Sequence, residues 1–385
     1  MNVLFATTDF VENNGPTTGL PKYLLRTSLK LIEWGHNVTV VTCANRTVQY
    51  EFYGINVRRV RGYNIKTFGD LYKDELYMCM RNAKLIHNEI ERVIQCSKID
   101  IIQYASISGI AYLHDFNIPS VVRLSSYSKM WPLVGQEMLI NARTKMEIEA
   151  VKKCNAIISP SILVANEVSK DCGRKVDVIE TPFVMENKSE NFYLYDKYLK
   201  GKQYILFFGT IIEYKGICVI KGVAKRMLET YPNLHLVIIG DGDTCLIDRI
   251  VSEIGELKGR FFYHSAVGFD TLCPIIKNSY AVILPSLMEN FSNACVEAMA
   301  LGKVVIGTKG ASFEQLIDDG VNGLLCEPGN SDSLLNAIHR LMRLTIVERN
   351  EIEKNAVKRT NELTPEKVTM QLLKYYEKII KQFTQ

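Results

Sequence analysis

Short apolar, β-branched runs alternate with longer amphipathic stretches along the whole of this chain, and that rhythm restricts the fold more than any other feature. The runs fall at residues 3–6, 37–42, 101–104, 120–124 and 156–159, then again at 204–208, 234–239, 260–263, 281–284 and 304–307. Helical segments fit between them, notably 20–34 and 76–95. A strand covered on both faces reads as a continuous apolar run, and parallel neighbours need a crossover long enough for a helix. The rhythm therefore predicts an α/β chain built on parallel sheets. At 385 residues there is too much chain for one ordinary core, so two Rossmann-like domains are expected. The expected boundaries are 1–182 for the first and 202–364 for the second, with the polar, aromatic and aperiodic stretch 183–201 as a linker. Residues 365–385 read as one final amphipathic helix.

Bulk properties narrow the function. Apolar residues make up 47% and charged residues 23%, as in ordinary globular proteins. The net charge of +4 is spread along the chain, which argues against a nucleic-acid protein but leaves small anionic substrates open. The ten cysteines show no C-x-x-C pair or metal-cage spacing, so they are expected to be reduced and used as small hydrophobes. No apolar run reaches the ~18–20 residues that span a bilayer, and Met1 leads almost directly into the first strand, so a cytoplasmic protein is expected. Arg58, Arg59, Arg61 and Lys66, with Tyr63 and Phe68, suggest peripheral contact with an anionic membrane; the plainer reading is a solvated basic loop. Met130-Trp131-Pro132-Leu133 is a second aromatic candidate for such contact.

Open parallel sheets bind ligands beyond the carboxyl ends of their strands. The richest such loop follows run 281–284: Glu289-Asn290-Phe291-Ser292-Asn293-Ala294-Cys295-Val296-Glu297. Ser292 or Asn293 can cap a helix there, whose first amides favour an anion. A carboxylate such as Glu297 can accept two hydrogen bonds from a vicinal diol like that of ribose. After run 204–208 comes Gly209-Thr210-Ile211-Ile212-Glu213-Tyr214-Lys215-Gly216, a glycine permitting close backbone approach and a compact cation suited to phosphate. After run 234–239, Gly240-Asp241-Gly242-Asp243 reads either as a metal-binding D-x-D or as a tight turn. Gly15-Pro16-Thr17-Thr18-Gly19, ahead of the first helix, taken alone is weak evidence for phosphate binding.

These motifs resemble, in register, the retaining glycosyltransferases of family 4, whose GT-B fold sets two Rossmann-like domains face to face across a cleft. The diagnostic stretch is Glu289, seven residues, Glu297 and then Ala298-Met299-Ala300, continued by Gly302, Gly307, Gly310, Glu314 and Asp319-Gly320-Val321-Asn322-Gly323-Leu324-Leu325. The resemblance implies that Glu297 holds the donor ribose. Glu289, with Asn290, Phe291, Ser292 and Asn293, would hold the transferred sugar, and Lys215 with Gly209 and Thr210 the diphosphate. It makes Gly240 part of a turn lining the nucleotide, so no metal is expected, and it sets Thr18 and Gly19 beside the donor. Arg123, Ser125 and Ser126 fall on the acceptor side. Two positions depart from the pattern: Thr210 replaces the usual arginine, and Ser125-Ser126-Tyr127 replaces a loop that often carries histidine. The final helix is expected to cross back to the amino-terminal domain.

The reaction so implied is metal-independent, retaining transfer from a nucleoside-diphosphate sugar to a glycan or glycolipid acceptor, in cell-surface polysaccharide assembly and without a cofactor. Glu289 and Lys215 are the candidate catalytic residues. A sugar-nucleotide epimerase or hydrolase, or a nucleotide-sugar-binding protein with weakened turnover, are the alternatives on the same fold.

Overall fold

A computed structural model gives the structure; it describes residues 1–11, 19–62, 71–130, 137–185 and 190–385, without the side chains of 71–75 and 137–142. The chain divides into two compact units. Met1–Phe183 and Leu363–Gln385 form one, and Val184–Glu362 forms the other.

Among the described residues the first unit holds eight strands: β1 Asn2–Thr7, β2 Asn37–Ala44, β3 Val48–Phe52, β4 Ile55–Arg61, β5 Ile101–Ala105, β6 Ser120–Arg123, β7 Ala156–Ser159 and β8 Asp177–Val178. They lie in the order β3-β4-β2-β1-β5-β6-β7-β8, parallel throughout except for the β3–β4 hairpin. Tyr53 and Gly54 close that hairpin with φ of 51° and 79°, the two left-handed residues a tight type I′ turn requires. The hairpin escaped the rhythm because its strands, VQYEF and INVRRVR, carry charge inside the run.

That same hairpin corrects the reading of the basic cluster. Arg58 donates to Glu89 at 3.1 Å, and Arg59 is buried, donating to the Tyr50 hydroxyl at 2.9 Å with its guanidinium over the Tyr50 ring. Alternation along a strand sends adjacent arginines to opposite faces, so these two cations work inside the unit rather than on one membrane-facing patch. Lys66, Tyr63, Phe68 and the 131–133 segment lie outside the described residues. Among the described residues no helix is long and apolar enough to cross a membrane.

The terminal helix Pro365–Phe383 belongs to this first unit. Thr364 caps it, Pro365 supplies the preset φ of a first helical position, and Val368, Leu372, Tyr376 and Ile379 join the core beside Leu24 and Leu31. Lys30 pairs with Glu366 at 2.5 Å, and the Tyr376 hydroxyl donates to buried Gln103 on β5 at 2.7 Å.

The second unit holds β9 Gln203–Phe208, β10 Leu234–Ile239, β11 Phe261–His264, β12 Ala281–Ile283, β13 Val305–Thr308 and β14 Leu324–Cys326. All pairs are parallel and the order is β11-β10-β9-β12-β13-β14. This is the Rossmann order, whose winding reverses between its first strand, β9, and β12. Tyr204–Phe208 of β9 and all of β12 are almost fully buried, the reason both read as unbroken apolar runs. Residues 184–201, read from the sequence as linker, belong instead to this unit. Within them the helix Tyr193–Tyr198 buries Leu194, and Asn191 donates its amide to Asp270 at 2.9 Å. A helix of six residues is too short to show a period.

Candidate active site

Every crossover in the second unit leaves a loop beyond the carboxyl end of a strand, and the two richest motifs fall on the strands flanking the winding reversal. The loop after β9 runs from Gly209 through a 3₁₀ turn, Glu213–Lys215, into the helix Ile217–Thr230. The loop after β12 runs through Ser286 and Glu289 into the helix Asn293–Ala300. They are tied together: Leu287 donates its amide to the Tyr214 carbonyl at 2.7 Å. Gly216 makes that approach possible. It has φ 82°, and a Cβ there would stand 2.0 Å from the Pro285 carbonyl oxygen.

The charged residues the sequence assigned to different parts of a ligand touch each other. Lys215 Nζ lies 2.5 Å from Glu289 Oε1, and the Ser286 hydroxyl donates to the same oxygen at 3.0 Å. The Glu289 side chain is 10% exposed and that of Lys215 24%, so the pair is largely withdrawn from water yet still reachable. Partial burial strengthens the attraction and raises the cost of leaving either charge alone. The Ser312 hydroxyl donates to the Glu289 carbonyl at 2.8 Å, holding its backbone as well.

Beyond Glu289, Asn290 is buried and Phe291 half-buried. Ser292 is the N-cap, its hydroxyl accepting the Cys295 amide at 3.3 Å. Asn293 opens the helix and half-buried Glu297 follows one turn later. The amides of the first helical turn lie at the positive end of the helix dipole.

Gly209 and Thr210 are exposed just past β9. Gly240 ends β10 against Gly209, where an added Cβ would stand 1.8 Å from the Gly209 carbonyl oxygen. Asp241 accepts the Ala266 amide at 3.0 Å, and Asp243 caps the helix Thr244–Ile254 through the Cys245 amide at 2.9 Å. Both carboxylates thus hold turns in place. So the structure brings together Gly209, Thr210, Lys215, Gly240, Glu289, Asn290, Phe291, Ser292, Asn293 and Glu297 on the carboxyl edge of one sheet. Ser286 and Ser312 were missed. The only signal for Ser286 was its place three residues ahead of Glu289, and nothing in the sequence pointed to Ser312.

The first-unit candidates fare differently. Gly19 opens the helix Gly19–Glu33, and Thr18 lies outside the described residues. Arg123 is not a ligand-facing cation. It is 3% exposed, donates to the Thr181 hydroxyl at 2.9 Å and stacks 3.7 Å from the centre of the Tyr23 ring, and burial lowers its pKa. Its position on β6, an interior strand flanked by β5 and β7, turns it into the core. Ser125 and Ser126 are half-buried and belong to a tied loop, the Ser106 hydroxyl accepting the Ser125 amide and donating to the Ser126 carbonyl. His114 packs against Tyr104, and desolvation lowers its pKa to about 4.

Comparison with known proteins agrees with this architecture. The sequence model of the family Glycosyltransferase Family 4 matches residues 17–185, and that of Glycosyl transferases group 1 matches residues 196–359. A phosphatidyl-myo-inositol mannosyltransferase of Mycolicibacterium smegmatis is 22% identical over 377 residues, covering 94% of this chain and 90% of the relative. Three other curated glycosyltransferases match over only 35% to 48% of their length. Sucrose-phosphate synthase from Thermosynechococcus elongatus superposes with a TM-score of 0.81 at 16% identity, over 99% of both chains. Anabaena HepE in complex with UDP-glucose superposes with a TM-score of 0.72 at 16% identity, over 98% of this chain and all of that one. Two consecutive family matches, a shared GT-B fold and the Glu289–Glu297 loop at the winding reversal converge: the chain belongs to the group 1, family 4 glycosyltransferases.

Proposed function

We propose that this glycosyltransferase moves a sugar from a nucleoside-diphosphate sugar to a carbohydrate or lipid-linked acceptor, with retention of anomeric configuration, in the assembly of cell-surface glycans. The observation that carries the reading is the meeting of Lys215, Glu289 and the capped start of the helix Asn293–Ala300 at one sheet edge. Those parts match the parts of a donor: a cation and a row of amides for the diphosphate, a carboxylate for the sugar, and Glu297 one turn on for the ribose. The names of the relatives support it too, since HepE is bound to UDP-glucose and the mycobacterial relative is a mannosyltransferase acting on a lipid.

In this reading the diphosphate draws Lys215 away from Glu289, and the freed carboxylate then faces the sugar as positive charge develops on its ring. The bond from the anomeric carbon to the phosphate oxygen breaks, a bond to the acceptor oxygen forms on the same face, and the acceptor proton leaves with the diphosphate. Thr210 contributes one hydroxyl where an arginine would bring charge, and Gly209 and Gly240 let the backbone close on the phosphates. Thr18 and Gly19 are assigned to the donor, and Ser125 and Ser126 to the acceptor.

Two measurements test it. Glu297→Ala should weaken UDP or GDP binding by roughly tenfold or more, the worth of at least one charge-assisted bond, yet leave inorganic diphosphate binding nearly unchanged. Calorimetry with both ligands reads the difference, and equal losses would remove Glu297 from the ribose. Turnover should persist in chelator, because cation, amides and helix terminus neutralise the phosphates. Activity lost in chelator and restored by magnesium or manganese would instead make Asp241 and Asp243 metal ligands.

A further inference from the structure

Among the described residues near the site, Ser312 alone has its backbone held in a conformation its side chain does not favour. It is a non-glycine residue at φ 65°, ψ 1°, in the left-handed region. Its neighbours force it there. Ala311 and Phe313 on either side are fully buried, and Phe313 packs so closely on β13 that a Cβ at Gly307 would stand 2.7 Å from its ring. The Gly310 amide, donating to Glu314 at 2.6 Å, fixes the entry to the turn, itself left-handed at φ 68°. A glycine would meet the same backbone demand without strain, yet the residue present carries a hydroxyl, and that hydroxyl donates to the Glu289 carbonyl at 2.8 Å. Strain that persists because its surroundings impose it is a pointer to function.

We infer that Ser312 is a positioning residue for Glu289, fixing the backbone from which the carboxylate projects; the inference rests on the role proposed for Glu289 above. Glu289 is then held at two ends. Ser286 and Lys215 contact its carboxylate, and Ser312 its peptide carbonyl. When a diphosphate takes Lys215 away, the Ser286 and Ser312 bonds keep the carboxylate from swinging toward the vacated cation. Ser312 also joins the loop after β13 to the loop after β12, so the aim of Glu289 depends on a strand that carries none of the donor-binding residues.

Three substitutions separate the hydroxyl from the backbone. Ser312→Ala removes the donor and keeps the strain, Ser312→Gly removes both, and Ser312→Asn keeps a side-chain donor on a residue that tolerates left-handed φ. With UDP-glucose, UDP-N-acetylglucosamine and GDP-mannose as donors and nucleoside diphosphate release as readout, the Ala and Gly variants should lose about tenfold in kcat, with KM within about twofold and Asn recovering part of the loss. Hydrogen exchange needs no substrate: the amides of residues 289–293 should exchange faster in the Ala and Gly variants, and those of 213–217 should not. A Ser312→Gly protein as active as the native one, with unchanged exchange at 289–293, overturns the inference. If Glu289→Gln is itself fully active, the reading of the site fails instead; if Glu289→Gln is impaired while the Ser312 variants match the native protein, only the inference does.

Discussion

Glu289→Gln is expected to lower turnover by about two powers of ten or more while leaving UDP affinity equal to or above that of the native protein. The glutamine carbonyl can still accept the Ser286 hydroxyl, so the loop keeps its shape, and only the negative charge is lost. In the proposed mechanism that charge acts in two directions. Toward the reaction it stabilises the positive sugar ring, which exists only near the transition state, so its loss falls on kcat. Toward the ground state it holds Lys215 at 2.5 Å and competes with the diphosphate, so its loss aids binding. Steady-state kinetics with calorimetry on UDP reads both effects. A fully active variant removes Glu289 from catalysis, and a variant that loses UDP binding along with turnover makes the residue a ground-state contact. Once donor and acceptor are identified, NMR of the new linkage should report the donor's anomeric configuration, and an inverted product contradicts the mechanism.

Lys215→Ala should weaken UDP binding by about a hundredfold, more than loss of one charge–phosphate contact alone. Removing the lysine takes away a cation and also leaves the Glu289 carboxylate, 10% exposed, without its partner and facing the incoming diphosphate. The two contributions separate in a double-mutant cycle. Adding Glu289→Gln to Lys215→Ala should raise UDP affinity by more than the same change does in the native protein, because the unpaired anion is gone. Simple additivity would mean that the pair seen in the structure has no bearing on the donor. Thr210 sharpens this expectation: the chain has Lys215 but no arginine at position 210, so a single cation serves this loop.

The contrast between what could be read from the residues and what could not has a physical basis. Local chemistry was legible. Strands buried on both faces must be apolar throughout, so β9 and β12 announce themselves. A carboxylate, a helix cap and a second carboxylate at Glu289, Ser292 and Glu297 form a motif because all three lie on one stretch of chain. Charged strands such as INVRRVR hide their period, and the six-residue helix Tyr193–Tyr198 is too short to have one. Neighbours far apart along the chain were settled by the tertiary structure alone. Lys215 and Glu289 are 74 residues apart, and Ser312 and Glu289 are 23. Arg123 looked free to face a ligand and is instead sealed under Tyr23, because only sheet order decides which strand end is central and which side chains turn inward. Residue types and their spacing along one loop determined the kind of chemistry this protein is built for. Which groups touch was decided by the strand order that brings β9, β12 and β13 together.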